Sequence, residues 1–233
     1  MNQFVITVAQ QKGGAGKTTI AAHLSVVMSD LGYRTAVIDI DPQGSLTKWF
    51  KEREKTYGKT ETGLTFSAIS GWRVNQEIER LSGHHDIVII DSPPHVETEA
   101  RTAVRSADLA LVPVQPSPTD LWATQGTIDL CRAENVPFHL VMNRVNTQSK
   151  IFQTMRKEIG TQATILGNRV AFASSMMHGQ CVTEFAPYAP ASDEIVALAD
   201  EVISRLPSHI NPSLAEDVTS LPHGLMADIV EIA

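Results

Sequence analysis

The chain has few cysteines, no long apolar run and no excess of positive charge, and each shortage removes a class of function. Two cysteines, Cys131 and Cys181, stand far apart among 233 residues. They are too few for a disulfide framework and too distant for a C-x-x-C metal or redox site. Both are expected as core or semi-buried thiols. No apolar stretch approaches the roughly 20 residues that a membrane-spanning helix needs. The first strand-like run begins almost at the start, so no signal peptide is expected and a cytoplasmic location is. Lys and Arg together number 19 against 26 Asp and Glu, a formal net charge of −7. Binding to nucleic acid must therefore depend on a local basic patch. Beyond Arg205 there is no Lys or Arg, only Glu216, Asp217, Asp228 and Glu231. A basic amphipathic anchor for an anionic lipid surface is not expected here, nor is a membrane partner.

What is present alternates. Short apolar runs at 4–9, 35–39, 64–69, 86–90, 109–113, 138–142 and 164–166 read as strands. Helical periodicity falls between them, after residue 17 and over 46–55, 74–81, 97–105, 120–134 and 151–159, with a last helix from Ser192 or Asp193 through Leu206. This alternation predicts an α/β fold with a mostly parallel central sheet flanked by helices on both faces, a three-layer arrangement. Residues 1–206 form one domain on this reading. Residues 207–233, interrupted by Pro207, Pro212 and Pro222, form a C-terminal extension with a helix expected over 225–232. His84 and His85 are adjacent, do not share a face, and read as turn or surface residues rather than metal ligands.

The segment Lys12-Gly13-Gly14-Ala15-Gly16-Lys17-Thr18-Thr19 carries the most chemistry. The usual phosphate-binding loop, G-x-x-x-x-G-K-[ST], has glycine where this chain has Gln11, and here an extra lysine follows. Such loops turn successive backbone N–H groups toward an anion, which requires glycines able to adopt positive φ, and they open a helix whose N-terminal dipole faces the phosphates. Strand, glycine loop, Lys-Thr and helix occur here in that order. Lys17 is expected at the β- and γ-phosphates, the Thr18 hydroxyl on Mg²⁺ and Thr19 near the α-phosphate. The bound species are then ATP or ADP with Mg²⁺.

Two acidic clusters follow strands. Asp39-Ile40-Asp41-Pro42-Gln43-Gly44 ends the second, where carboxylates project into the ligand crevice of α/β sheets. Ile87-Val88-Ile89-Ile90-Asp91-Ser92-Pro93-Pro94 is an apolar strand ending in an acid, the Walker B arrangement. Asp91 is expected to hold Mg²⁺ through a water, with Asp39 behind it, and the Pro93-Pro94 turn is expected to bring the next segment beside the γ-phosphate. Two basic stretches also occur. Lys48, Lys51, Arg53, Lys55 and Lys59 read as a solvated helix face, whereas Arg144, Lys150, Arg156, Lys157 and Arg169 form a candidate nucleic-acid patch.

On Lys12-Gly-Gly-Ala-Gly-Lys-Thr-Thr, Asp39-Ile-Asp-Pro-Gln-Gly, Asp91-Ser-Pro-Pro and Met142-Asn143-Arg144, the chain resembles the ParA/MinD group of deviant-Walker P-loop ATPases, over residues 3–206. It is most similar to small ParA partition ATPases without an N-terminal helix-turn-helix. The resemblance implies an ATP-sandwich homodimer in which Lys12 crosses to the partner's phosphates. It also implies that Asp41 orients or activates the attacking water and that Asn143 recognises adenine. By itself, Asn143 beyond a strand reads equally as a turn residue. A cation delivered in trans is chemically sensible, because phosphoryl transfer needs charge neutralised at its transition state.

The resemblance further implies a nucleoid-associated ATPase that binds DNA without sequence preference and moves a plasmid or chromosomal origin through a ParB-type adaptor. Lys150, Arg156, Lys157 and Arg169 are the candidate DNA contacts. An alternative keeps the ATPase cycle and makes the cargo a chemoreceptor cluster or microcompartment, reached through a cargo adaptor. A third reading is a small-molecule ATP-dependent enzyme of the same fold, as amidoligases and dethiobiotin synthetase are, although no substrate pocket of that kind is recognisable.

Overall fold

In the computed structural model, which describes residues 3–94, 98–159 and 163–212, the elements in chain order are β1 (Phe4–Val8), α1 (Lys17–Asp30), β2 (Thr35–Asp39), α2 (Ser45–Tyr57), β3 (Thr65–Ala68), α3 (Val74–Leu81) after a 3-10 turn at Gly71–Arg73, β4 (Ile87–Asp91), α4 (Thr98–Arg105), β5 (Leu109–Val114), α5 (Pro118–Ala133), β6 (Phe138–Val145), α6 (Lys150–Ile159), β7 (Thr164–Gly167), α7 (Val170–Met176), α8 (Val182–Phe185) and α9 (Pro190–Ile203). The strands form one sheet in the order β3-β2-β4-β1-β5-β6-β7. All pairings among the described residues are parallel.

Every residue of β1, β2, β4 and β5 is buried. These strands read as continuous apolar runs because helices cover both faces of the sheet. The period of two still sorts them: Phe4, Ile6, Val8, Ile87 and Ile89 face a core shared with α1, α2, α8 and α9, and Val5, Ala9, Val88 and Ile90 face one shared with α3, α4 and α5. A smaller cluster seats Phe152 and Met155 of α6 against Val114, Met142 and Val145. Both cysteines are fully buried in these cores. No described helix is long and apolar enough to cross a membrane.

β1 lies between β4 and β5, and the chain leaves it for β2 on one side before returning to β5 on the other. That reversal opens a crevice at the strands' C-terminal ends, where open α/β sheets bind ligands.

Most predicted elements recur with ends shifted by one or two residues. Three differences matter for the site. α7 and α8 were not anticipated, being short and without a sustained helical period. α9 starts at Pro190, which occupies the first helical turn where a missing N–H does no harm. β6 runs on through Asn143 to Val145, with an irregular register between Met142 and Val145 and a left-handed Arg144 at φ 54°. Asn143 therefore lies within a strand's irregular end rather than past it.

Two further readings meet different environments. Arg53, expected on a solvated face, is buried, with its guanidinium paired to Glu184. His84 is exposed in a turn as expected, whereas His85 is half-buried and engages both ring nitrogens, Nδ1 with Leu81 O and Nε2 with Thr65 Oγ1. The helix expected over 225–232 lies outside the described residues.

Candidate nucleotide site

The loop between β1 and α1 takes its shape from two glycines in the left-handed region, Gly14 at φ 77° and Gly16 at φ 102°. Gly16 is required twice over, since a Cβ there would also fall 2.0 Å from Asn143 Nδ2. A Cβ at Gly13 would meet nothing within 4 Å among the described residues. Gly16 is the N-cap of α1 and supplies no side-chain acceptor, and the first turn carries no acid. The helix therefore presents uncapped N–H groups and the positive end of its dipole, an anion site. The loop is braced from two neighbouring strand ends. Asn143 Nδ2 donates to Ala15 O at 2.8 Å, and Gln115 Nε2 donates to Gly14 O at 2.7 Å.

Lys17, Thr18, Asp39, Asp41 and Asp91 converge at the foot of α1. Thr18 Oγ1 donates to Asp91 Oδ2 at 2.7 Å. Asp91 Oδ1 is fully buried and has no hydrogen-bond partner among the described residues. Asp39 and Asp91 are register partners across β2 and β4, so two carboxylates stand side by side at adjacent strand ends. Burial pushes the Asp91 carboxyl up to about 7, against the Thr18 hydrogen bond and with Asp39 adding repulsion. A buried acid with an orphaned oxygen, beside a threonine hydroxyl and a second carboxylate, is a donor set for a hard divalent cation such as Mg²⁺. Lys17 is buried with Nζ 3.1 Å from Gln10 O. Desolvation lowers its pKa, opposed by Asp91 and Asp41. A desolvated ammonium next to an uncapped helix start fits phosphate oxygens.

The two acids of the second cluster divide their tasks. Asp39 accepts from Thr47 N at 2.8 Å, from Thr47 Oγ1 at 2.6 Å and from Asp41 N at 3.1 Å. It ties the first turn of α2 to the sheet. Asp41 is half-buried and accepts from Gln43 N at 2.9 Å, an Asx turn in front of α2.

Lys12 does not extend into solvent. Nζ lies 2.5 Å from Asp120 Oδ2 and 3.1 Å from Thr119 Oγ1, in the first turn of α5 of the same protomer. Asp120 is buried, accepts also from Ser117 Oγ, and leaves Oδ1 without a partner among the described residues. These α5 residues were not anticipated from the sequence. Their signal was available in Ser117-Pro118-Thr119-Asp120, an N-cap serine, a proline at the first helical position and an acid three residues on.

Next to the loop opens a cleft of about 330 Å³ whose lining includes Thr19, His23, Asn143, Arg144, Arg169 and Phe172. Asn143, expected as a base contact, thus borders this space while bracing the loop. The candidate DNA residues fall on two elements. Lys150, Arg156 and Lys157 are exposed on α6, whereas Arg169 stands on the cleft rim, 2.8 Å from Glu194. The segment after Pro93-Pro94, expected beside the γ-phosphate, lies outside the described residues at 95–97.

The model of the CobQ/CobB/MinD/ParA nucleotide binding domain matches residues 6–182. The Maintenance of carboxysome distribution protein A of Halothiobacillus neapolitanus is 29% identical over 86% of this chain and 96% of its own length. The Chromosome-partitioning ATPase Soj of Thermus thermophilus is 25% identical over 86% of this chain and 96% of its own. In fold, the chain is similar to the septum site-determining protein MinD of Pyrococcus horikoshii, solved with Mg-ADP, with a TM-score of 0.74 at 17% identity over 86% of this chain and 96% of that one.

Proposed function

The chain belongs to the CobQ/CobB/MinD/ParA nucleotide binding family, and from that premise we propose that it is a Mg²⁺-dependent ATPase whose ATP-bound homodimer binds DNA without sequence preference and drives DNA partition when an adaptor stimulates hydrolysis. The observation that carries the ATPase reading is the pairing of Thr18 with Asp91 beneath an uncapped α1, with Asp91 Oδ1 unpartnered among the described residues and Lys17 alongside. In this reading the amides from Gly13 to Thr19 and the Lys17 ammonium bind the phosphates. Thr18, and Asp91 through a water, hold the cation, which when bound neutralises phosphate charge. Asp39 acts behind them by fixing α2. Asp41 orients the attacking water, and Lys12 of each subunit reaches the other's phosphates. Thr19 and Asn143 border the nucleoside cleft, where Asn143 retains an N–H for adenine after bonding Ala15.

Lys150, Arg156 and Lys157 on α6 are the DNA contacts in this proposal. They give up to three phosphate contacts per subunit, so affinity falls steeply with salt. The partner in the leading reading is a ParB-type adaptor, and Soj and ParA among the relatives support it. A second reading has its own support: the carboxysome-distribution relative at 29% identity favours a protein cargo moved by the same cycle through a cargo adaptor.

The test is Mg²⁺-dependent phosphate release together with DNA co-sedimentation of wild type and Asp41→Ala under ATP, ADP and no nucleotide. The expected result is hydrolysis by wild type, none by Asp41→Ala, and Asp41→Ala trapped on DNA by ATP alone. Equal sedimentation in all three states removes the DNA cycle. Absence of both Mg·ATP binding and phosphate release from wild type, even with DNA present, removes the ATPase. Affinity capture with the Asp41→Ala protein then separates the cargo readings by what is retained.

A further inference from the structure

The cleft beside the phosphate loop is walled on its outer side by the turn joining β7 to α7, and a single carboxylate from α9 holds that turn. Glu194 Oε2 accepts from Gly167 N at 2.8 Å, while Oε1 accepts from Arg169 Nε at 3.1 Å and from Arg169 Nη2 at 2.8 Å. The arrangement depends on Gly167. A Cβ there would lie 2.6 Å from Arg169 Nε and 2.9 Å from Glu194 Oε1, so a side chain would force the ion pair apart. Glycine, acid and arginine thus form one built unit, reinforced by Asn168 N donating to Val145 O at 2.9 Å. The unit also sets where α7 begins, and α7 carries Phe172, whose ring meets His23 edge-on at 5.2 Å along the same cleft.

We propose that Glu194 is a positioning residue of the nucleoside cleft, and that Arg169, held by Glu194, contacts the nucleoside part of a bound nucleotide rather than a DNA phosphate. This rests on reading the cleft as part of the nucleotide site. An arginine already neutralised by a carboxylate is a weak partner for a diffuse polyanion, and Arg169 stands on the β7–α7 turn rather than on α6 with Lys150, Arg156 and Lys157. Its Nη1 makes no hydrogen bond among the described residues, and the planar group lines a space next to Asn143 and Thr19. Those donors suit the hydroxyls or ring acceptors of a nucleoside. Glu194 does not line the cleft. It acts by holding a turn of irregular backbone in the conformation that a nucleoside meets, so that binding need not order it.

The experiment compares wild type, Glu194→Ala, Glu194→Gln and Arg169→Ala by calorimetric titration with Mg·ATP and with Mg·tripolyphosphate, which has the phosphates and no nucleoside. Glu194→Ala and Arg169→Ala are expected to weaken ATP about 5- to 30-fold, the factor carried by one or two lost interactions of ordinary strength. Tripolyphosphate affinity is expected to stay within about twofold of wild type, because the phosphate loop is untouched. Glu194→Gln keeps an acceptor for Gly167 N and loses the charge, so it falls between. At saturating ATP, Arg169→Ala is expected to sediment with DNA as wild type does. Unchanged ATP affinity in the variants, an equal loss for tripolyphosphate, or loss of DNA binding by Arg169→Ala at saturating ATP would each overturn the proposal while leaving the ATP site in place. A wild type that binds neither ligand overturns the nucleotide reading, and this proposal with it.

Discussion

Lys12 Nζ lies 2.5 Å from Asp120 Oδ2 within a single protomer. The lysine side chain is 37% exposed and the acid 4%, so one partner can leave while the other stays buried. If Lys12 acts on the opposite subunit's phosphates, Asp120 competes for it, and dimerisation includes breaking this pair twice. Asp120→Asn keeps the size and removes the charge. It is expected to lower the ATP concentration for half-maximal dimer by about 5- to 30-fold, since an ion pair of this exposure contributes about 1 kcal/mol and two open per dimer. Sedimentation velocity across an ATP series reads this directly. An unchanged or higher midpoint would mean that Asp120 does not hold Lys12 back.

Gly16 meets two constraints that Gly13 does not. Alanine at 16 must adopt a left-handed backbone and displace Asn143, whose Nδ2 would be 2.0 Å away. The backbone term costs about 1–2 kcal/mol, and loss of the Asn143–Ala15 hydrogen bond adds about 1 kcal/mol. For a domain of this size each kcal/mol moves the melting midpoint by about 2–4 °C. Nucleotide-free Gly16→Ala should therefore melt about 5–10 °C below wild type, and Gly13→Ala within about 2 °C of it, by differential scanning fluorimetry. Equal midpoints for the two variants would show that the loop tolerates a Cβ at residue 16.

The site was legible where chemistry is local in the sequence and obscure where it is assembled across elements. Lys17, Thr18 and Asp91 were readable because a glycine loop, a Lys-Thr pair and an apolar strand ending in an acid each require neighbouring residues, and the fold brings them together. Asp120, Gln115 and Glu194 were not. Each acts on a residue that lies 108, 101 or 27 positions away, and no periodicity encodes such a pairing. Arg53 misled for the same reason. Within α2 it looks like one more surface cation, and its burial is decided by Glu184, 131 residues on. Strand positions survived translation best, because full burial on both faces imposes a composition that needs no knowledge of the partner strand. α7 and α8 left too little period to read.

Arg53 anchors the turn after α7 to α2. Its Nη1 and Nη2 each lie 2.8 Å from a Glu184 oxygen, Nε donates to Thr62 O at 2.8 Å and Nη1 also to Gly179 O at 3.1 Å. Removing one partner of such a buried pair leaves an uncompensated charge, at a cost of about 3–5 kcal/mol. Arg53→Met is expected to lose that much in urea unfolding. Arg53→Lys is expected to recover less than half, because an ammonium cannot reproduce the planar fork. Full recovery by lysine would show that charge alone sustains the contact.

His23 supplies the clearest pH signature. The imidazole is fully buried in α1, with Nδ1 accepting from Val182 N at 3.1 Å and Nε2 facing Phe172 O at 3.4 Å. That pattern selects the neutral tautomer with the proton on Nε2, and protonating Nδ1 would break the bond to α8. Burial lowers the pKa to about 4 from 6.5, with the Phe172 carbonyl and Glu184 opposing. Between those values the unfolded chain takes up a proton that the folded chain refuses. The stabilising contribution is therefore complete above pH 6.5, falls as pH drops through that window and levels off below about 4. The shift corresponds to at most about 3 kcal/mol. Other buried acids titrate in the same range, so the measurement is the difference in urea stability between wild type and His23→Gln from pH 4 to 8. The wild-type advantage should shrink steadily below pH 6.5, and ring ¹⁵N shifts should report an Nε2-protonated neutral imidazole across the window. A difference independent of pH, or a ring that titrates near 6.5, would place His23 in contact with water and undo the link it makes between α1 and the wall of the cleft.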